Sequence, residues 1–268
     1  CMLLGGCGDA TAPPSTPATT RTPAAPAAPW FEDATADSGI DFSWTSGAEG
    51  DFLLPEIIGG GAALLDVDGD GDLDVYLVQG GSLRIALDRE ATNPAGNRLY
   101  RNDGDWKFTD ITDGSGADDR GYGQGVATGD YDNDGDLDLY VTNVGPNALL
   151  RNDGDGRFTD VTAETGTGHP GWGTSATFLD MDLDGDLDLY VTNYIAWSPE
   201  TELDCSQMAA GRDYCSPRNY DAPARDVLYE NTGDGRFRNI TTVSGIDTSM
   251  GNGLGVASVD FDDDGLPD

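Results

Sequence analysis

The residues of this chain best suited to chemistry are aspartates, set at every second position in short loops. In "DYDNDGDLD" they are Asp130, Asp132, Asp134, Asp136 and Asp138. With Asp130 as position 1, carboxylates stand at positions 1, 3, 5 and 9. Gly135 stands at position 6, and Asp136 at position 7 can offer its backbone carbonyl. This oxygen-only donor set suits a hard cation. Its number and charge fit Ca2+ better than Mg2+, which prefers to keep its waters. The frame recurs as Asp66, Asp68, Asp70 and Asp74, with Gly71 at 6 and Asp72 at 7. It recurs again as Asp180, Asp182, Asp184 and Asp188, with Gly185 and Asp186. A fourth copy is Asp260, Asp262, Asp264 and Asp268, with Gly265 and the carbonyl of Leu266. The expectation is about four Ca2+ sites. An EF-hand shares positions 1, 3, 5 and 6 but needs a bidentate acid at position 12. Leu77, Val141 and Val191 stand there instead. An Asp-rich turn that binds nothing explains one "DGD" but not four loops in one frame.

Other chemical signals are sparse. The chain has one histidine, His169 in "GTGHPGWG", which reads as a turn residue rather than a base. Nucleophile elbow, phosphate loop, zinc spacing and dinucleotide fingerprint are all missing from the sequence. Cys205 and Cys215, in "CSQMAAGRDYC", read as a disulfide closing a small loop of an exported protein.

The loops belong to an internal repeat. Its units are "GAALLDVDGDGDLDVYLVQ", "GVATGDYDNDGDLDLYVTN", "SATFLDMDLDGDLDLYVTN" and "GVASVDFDDDGLPD". The first three are each followed by a second element: "NRLYRNDGDWKFTDIT", "NALLRNDGDGRFTDVT" and "DVLYENTGDGRFRNIT". A fragment of that element, "WFEDAT", precedes the first unit. "LDLYVTN" alternates like a strand, and "NDGDGRF" is a Gly/Asp turn between two strands. The shortest interval between loops, Asp130 to Asp180, sets the basic unit, and insertions near 80–96 and 195–224 lengthen the others. A unit of about 50 residues with roughly four strands is the sequence form of a propeller blade. The predicted fold is all-β, a β-propeller with about four blades in residues 30–268.

The formal charge of -35 argues against nucleic acid and anionic lipid headgroups as partners and favours cations. The front of the chain reads differently. "LGGC", ending at Cys7, resembles the lipobox of bacterial lipoproteins, which implies cleavage before Cys7 and lipidation of it. Residues 1–6 are then the remnant of a signal peptide. The Ala/Pro/Thr-rich segment after Cys7, reaching residue 29, is an extended tether. A signal, a lipidated cysteine and a tether predict an exported domain, held at the bacterial envelope by a lipid anchor alone or secreted.

Taken together, the units resemble FG-GAP (VCBS-type) repeats, the calcium-loop blades also found in integrin α-chain propellers. Those loops ligate through positions 1, 3, 5 and 9 and the carbonyl at 7, which match this sequence residue by residue. More narrowly, "FEDATADSGIDF", "LPEIIGGGAALLDVDGDGDLDVYLVQGG", "LYRNDGDWKFTDIT", "CSQMAAGRDYCSP" and "VLYENTGDGRF" resemble the cartilage-acidic-protein/UnbV-like family of extracellular proteins. That resemblance implies a seven-bladed propeller, a role in adhesion or binding, and no established catalytic residues. Four blade cores are too few for seven blades, so the sequence reads as part of a longer propeller.

The expected function is a calcium-binding, surface-anchored module for an extracellular protein or glycan. The insertions, with Trp197, Tyr214 and Tyr220, are a plausible contact surface, and packing over a blade edge is the plainer role for them. Two alternatives stand beside it. One is a calcium-dependent carbohydrate-active lyase or hydrolase, which would need an acid–base pair of tuned pKa in a cleft. The other is a structural or assembly scaffold.

Overall fold

Short β-branched and aromatic runs separated by Gly/Asp turns fold into antiparallel meanders. The computed structural model describes residues 31–88, 93–207, 211–248 and 250–267. Cys7, the tether and Asp268 lie outside them. The chain divides into Cys1–Ala34 and Thr35–Asp268. Residues 31–34, the described part of the first unit, have no regular secondary structure.

Within Thr35–Asp268 there are three four-stranded sheets and one two-stranded hairpin. Blade 1 comprises β1 (Ala62–Leu65), β2 (Asp74–Leu77), β3 (Arg98–Asn102) and β4 (Phe108–Asp110). Blade 2 comprises β5 (Gly123–Gly129), β6 (Asp138–Asn143), β7 (Ala148–Asn152) and β8 (Phe158–Asp160). Blade 3 runs β9 (Gly173–Leu179), β10 (Asp188–Asn193), then β13 (Val227–Asn231) and β14 (Phe237–Asn239). The hairpin of β11 (Cys205–Gln207) and β12 (Gly211–Asp213) interrupts it. Within each blade, strands pair in sequence order. In each of these blades an acidic loop joins the first strand to the second.

β6 shows how the blades stack. All six of its residues are buried, because the strand has a neighbour on both faces. Leu139 and Val141 enter a core with Leu65, Tyr76 and Leu99 of blade 1. Tyr140, pointing the other way, enters a second core with Ala176, Leu189 and Tyr229 of blade 3. Strand alternation thus feeds two interfaces rather than one interface and solvent. First strands approach closely where side chains vanish. A Cβ on Gly125 would lie 2.5 Å from the Thr174 carbonyl oxygen.

The tyrosine hydroxyls buried between blades are paired, as burial requires. Tyr140 Oη donates to Thr167 O at 2.8 Å and accepts from Asn147 Nδ2 at 3.1 Å. Tyr76 repeats this with Ala117 O and Asn97. In blade 3, Asp226 replaces the asparagine and accepts from Tyr190 Oη at 3.0 Å.

Of the about four blades expected, the described residues form three complete ones and the loop of a fourth. The fourth unit shows its loop but no strand among its described residues, and it meets blade 3 through Thr174 Oγ1, which donates to Gly253 O at 2.8 Å. Among its described residues, 31–35, the "WFEDAT" fragment has no strand; Thr35 opens a one-turn helix, Thr35–Ser38, akin to Thr162–Thr165 and Thr241–Ser244 after β8 and β14.

Candidate metal centre

Each acidic loop is a hydrogen-bonded turn built on its first aspartate. Asp130 Oδ1 accepts from Asp134 N at 3.1 Å and its Oδ2 from Gly135 N at 3.0 Å. Asp66, Asp180 and Asp260 accept from the same two positions of their own loops. The carboxylate at position 5 accepts from the N–H at position 7 in all four loops. The turn needs two left-handed residues. One is the expected glycine at 6, with φ of 91° at Gly71 and 101° at Gly135. The other, not foreseen, is position 4: Gly69, Asn133, Leu183 and Asp263 have φ between 58° and 76°. Leu183 is costly in that region, so the loop geometry overrides local preference there.

These turns bring carboxylates together. Ligand oxygens of Asp66, Asp68 and Asp70 lie within 4.8 Å of one another, as do those of Asp130, Asp132 and Asp138, of Asp180, Asp182 and Asp188, and of Asp260, Asp262 and Asp264. Position 9 has a second task. Asp138 is fully buried. Its Oδ2 accepts from Tyr131 N at 3.0 Å and its Oδ1 from Asn152 N at 2.8 Å. Asp74 holds Val67 N and Asn102 N in the same way, and Asp188 holds Met181 N and Asn231 N. This residue therefore ties the loop to its blade whether or not it touches an ion. Burial raises the Asp138 pKa to about 7, outweighing its two backbone hydrogen bonds, which lower it; burial raises Asp74, Asp188 and Asp132 as well.

Whether these loops suit a cation is decided at position 3. Asp68 Oδ1 and Asp132 Oδ1 are buried and have no hydrogen-bond partner. A buried carboxylate oxygen without a donor costs free energy, and it faces other carboxylate oxygens. A hard cation removes both costs, so these residues fit one. In the first loop Asp66, Asp68 and Asp70 would hold the ion, whereas the second gathers Asp130, Asp132 and Asp138 and the third Asp180, Asp182 and Asp188, so Asp74, Asp134 and Asp184 stand outside the groups in which the sequence frame put them.

The opposite end of the blades is closed by the insertions. Trp172, Tyr122, Tyr194, Leu53, Leu54 and Leu83 form a third core there, with Trp197 and Tyr220 packed against it. Glu202 accepts from Leu54 N at 2.9 Å, from Trp197 Nε1 at 2.7 Å and from Tyr220 Oη. Tyr214 Oη donates to Glu56 at 3.0 Å and its ring meets Phe52 edge-on. The three aromatics considered as a ligand surface are thus engaged in holding the insertion down. Cys205 and Cys215 form the expected disulfide, with Cα atoms 5.3 Å apart. His169 sits in a turn, its Nδ1 accepting from Gly171 N at 3.1 Å, and burial lowers its pKa.

One repeated sequence signal means more than a turn: Asn102, Asn152 and Asn231 in "RND" and "ENT". Each N–H binds the position-9 aspartate, each Oδ1 accepts from the glycine two residues on, and each Nδ2 reaches a loop carbonyl.

Comparison with known proteins gives one family model and six matching chains among solved structures. The model of the FG-GAP-like repeat matches residues 66–141 and 130–191. No curated protein matches the chain. Among solved structures, the chain is similar to an Agrocybe aegerita lectin described for specific recognition of non-reducing terminal N-acetylglucosamine. Identity is 19% and the TM-score 0.34, over 65% of this chain and 36% of that one. The chain thus spans little more than a third of that structure's length.

Proposed function

From the premise that the chain is an FG-GAP repeat protein over residues 66–191, we propose that it is a calcium-stabilised binding or adhesion module of the bacterial envelope. The observation that carries the calcium reading is the pair of buried, unpartnered oxygens, Asp68 Oδ1 and Asp132 Oδ1, inside loops of identical frame. In this reading the ion is structural. It neutralises carboxylates that otherwise repel, fixes the turn between first and second strands, and adds stability by binding only the folded chain. Binding of an extracellular protein or glycan is then the task of the surface the loops rigidify. Lipidation at Cys7 and the tether beyond it would hold that surface away from a membrane. Among the described residues no helix is long and apolar enough to span one.

The test has two arms. Calorimetric titration of chelator-treated protein with Ca2+ reads the loops. A glycan array and pull-down with extracellular proteins then read the ligand. Calcium binding without any ligand, together with disturbance of another surface protein on deletion, would replace the binding module with an assembly scaffold.

A further inference from the structure

We propose that the metal loops of neighbouring blades are coupled through Asn152 and Asn231, so that filling one loop strengthens binding in the next. The inference rests on the calcium reading above and concerns the regulation of those same sites.

The geometry is the same at both blade interfaces. The Asn231 N–H donates to Asp188 Oδ1, position 9 of the blade 3 loop, at 2.8 Å. Its side-chain Nδ2 donates to Tyr131 O, position 2 of the blade 2 loop, also at 2.8 Å. One interface earlier, the Asn152 N–H donates to Asp138 Oδ1 at 2.8 Å, and its Nδ2 to Val67 O of the blade 1 loop at 3.3 Å. Position 2 lies between the ligand aspartates at 1 and 3, so its peptide plane sets where both carboxylates point. Its other side is also held: Tyr131 N binds Asp138 and Val67 N binds Asp74. A single asparagine therefore grips the ligand-bearing peptide of one loop and the position-9 carboxylate of the next.

An acidic loop without its ion repels itself, and filling it fixes the position-2 peptide. That also fixes the carbonyl onto which the next blade's asparagine must dock. Ordering already completed by the first ion is ordering the second need not supply, which is positive coupling. Plain electrostatics gives the opposite sign, since a bound dication lowers the attraction felt by the next. At physiological ionic strength exposed charges are screened beyond about 8 Å, so the sign separates the two causes. The link is also asymmetric. Asn133 Nδ2, in the blade 2 loop, donates to Asp186 Oδ1 at 2.8 Å and to Gly185 O at 3.3 Å in the blade 3 loop. Its counterpart in the blade 1 loop is Gly69, which has no side chain to reach with. Coupling between loops 2 and 3 should exceed that between loops 1 and 2.

The experiment is a cycle on the full chain carrying Asp68→Ala and Asp262→Ala, leaving loops 2 and 3 for calorimetric Ca2+ titration at 0.15 M KCl. Affinity at loop 3 is measured with loop 2 intact and with Asp132→Ala, each with Asn231 and with Asn231→Ala. The expected result is at least about a 5-fold loss at loop 3 when loop 2 is disabled, shrinking in Asn231→Ala to the smaller loss that the Asn133 link alone carries. Asn231→Asp, which keeps the oxygen that caps Gly233 and removes the donor, repeats the test if the alanine variant does not fold. Two sites that bind Ca2+ independently, or coupling unchanged without the Asn231 donor, overturn the proposal and leave the calcium reading standing. No Ca2+ uptake in any variant overturns both.

Discussion

The N–H of Asn152 and the N–H of Tyr131 converge on one buried carboxylate, Asp138, at 2.8 and 3.0 Å. The residue thereby joins the acidic loop, the second strand and the third-strand hairpin of blade 2. Asp134, in the same loop, is exposed and accepts only a local N–H. Fold maintenance is therefore unequally divided among aspartates that look alike in the sequence.

Asp138→Ala leaves two buried N–H groups unsatisfied, at about 1–3 kcal/mol each. It should lower stability by about 3 kcal/mol even in chelator, as read by urea denaturation. Asp134→Ala should cost less than about 1 kcal/mol there. Equal losses from the two variants in chelator would contradict this division.

Burial raises Asp138 to about 7 and also raises Asp74, Asp119 and Asp188. The folded chain then holds protons that the unfolded chain has already lost, so these groups favour folding most below the ordinary Asp range. Their contribution is lost as pH rises toward about 7. In chelator, the melting temperature should fall between about pH 4 and pH 7. Saturating Ca2+, which favours the ionised form, should flatten or reverse that fall. A melting temperature that rises with pH in chelator would show that burial does not govern these carboxylates.

At the insertion end, Glu202 holds Leu54 N, Trp197 Nε1 and Tyr220 Oη. Glu202→Ala should destabilise the chain by about 3 kcal/mol, since it strands three part-buried donors. Its Ca2+ isotherm should match the parent, because the network belongs to the end away from the loops. A changed calcium stoichiometry in this variant would mean that the two ends are not separate.

The loops, their frame and the blade repeat were legible in the sequence because periodic spacing is local. Gly135 at position 6 could be placed because a sharp turn needs it. Leu183 in a left-handed conformation could not, since nothing in its own chemistry favours that state. The double role of Asp138 was hidden for a related reason: Asn152, which holds it, lies fourteen residues away on another strand. Trp197 and Tyr220 were ambiguous because an aromatic in a disulfide-closed loop looks alike whether it awaits a ligand or covers a core. Only the partner, Glu202, distinguishes the two. β6 alternates as expected, yet both of its faces are buried, which a single strand cannot announce.

The central claim is that the acidic loops are calcium sites that stabilise the blades. The most direct measurement is calorimetric titration of chelator-treated protein with Ca2+, paired with thermal melting of the same samples. The account predicts several sites, with a melting temperature that climbs as they fill; at a free concentration 100-fold above Kd, one site contributes about 2.7 kcal/mol. Absence of binding heat, with a melting temperature indifferent to Ca2+, would contradict it.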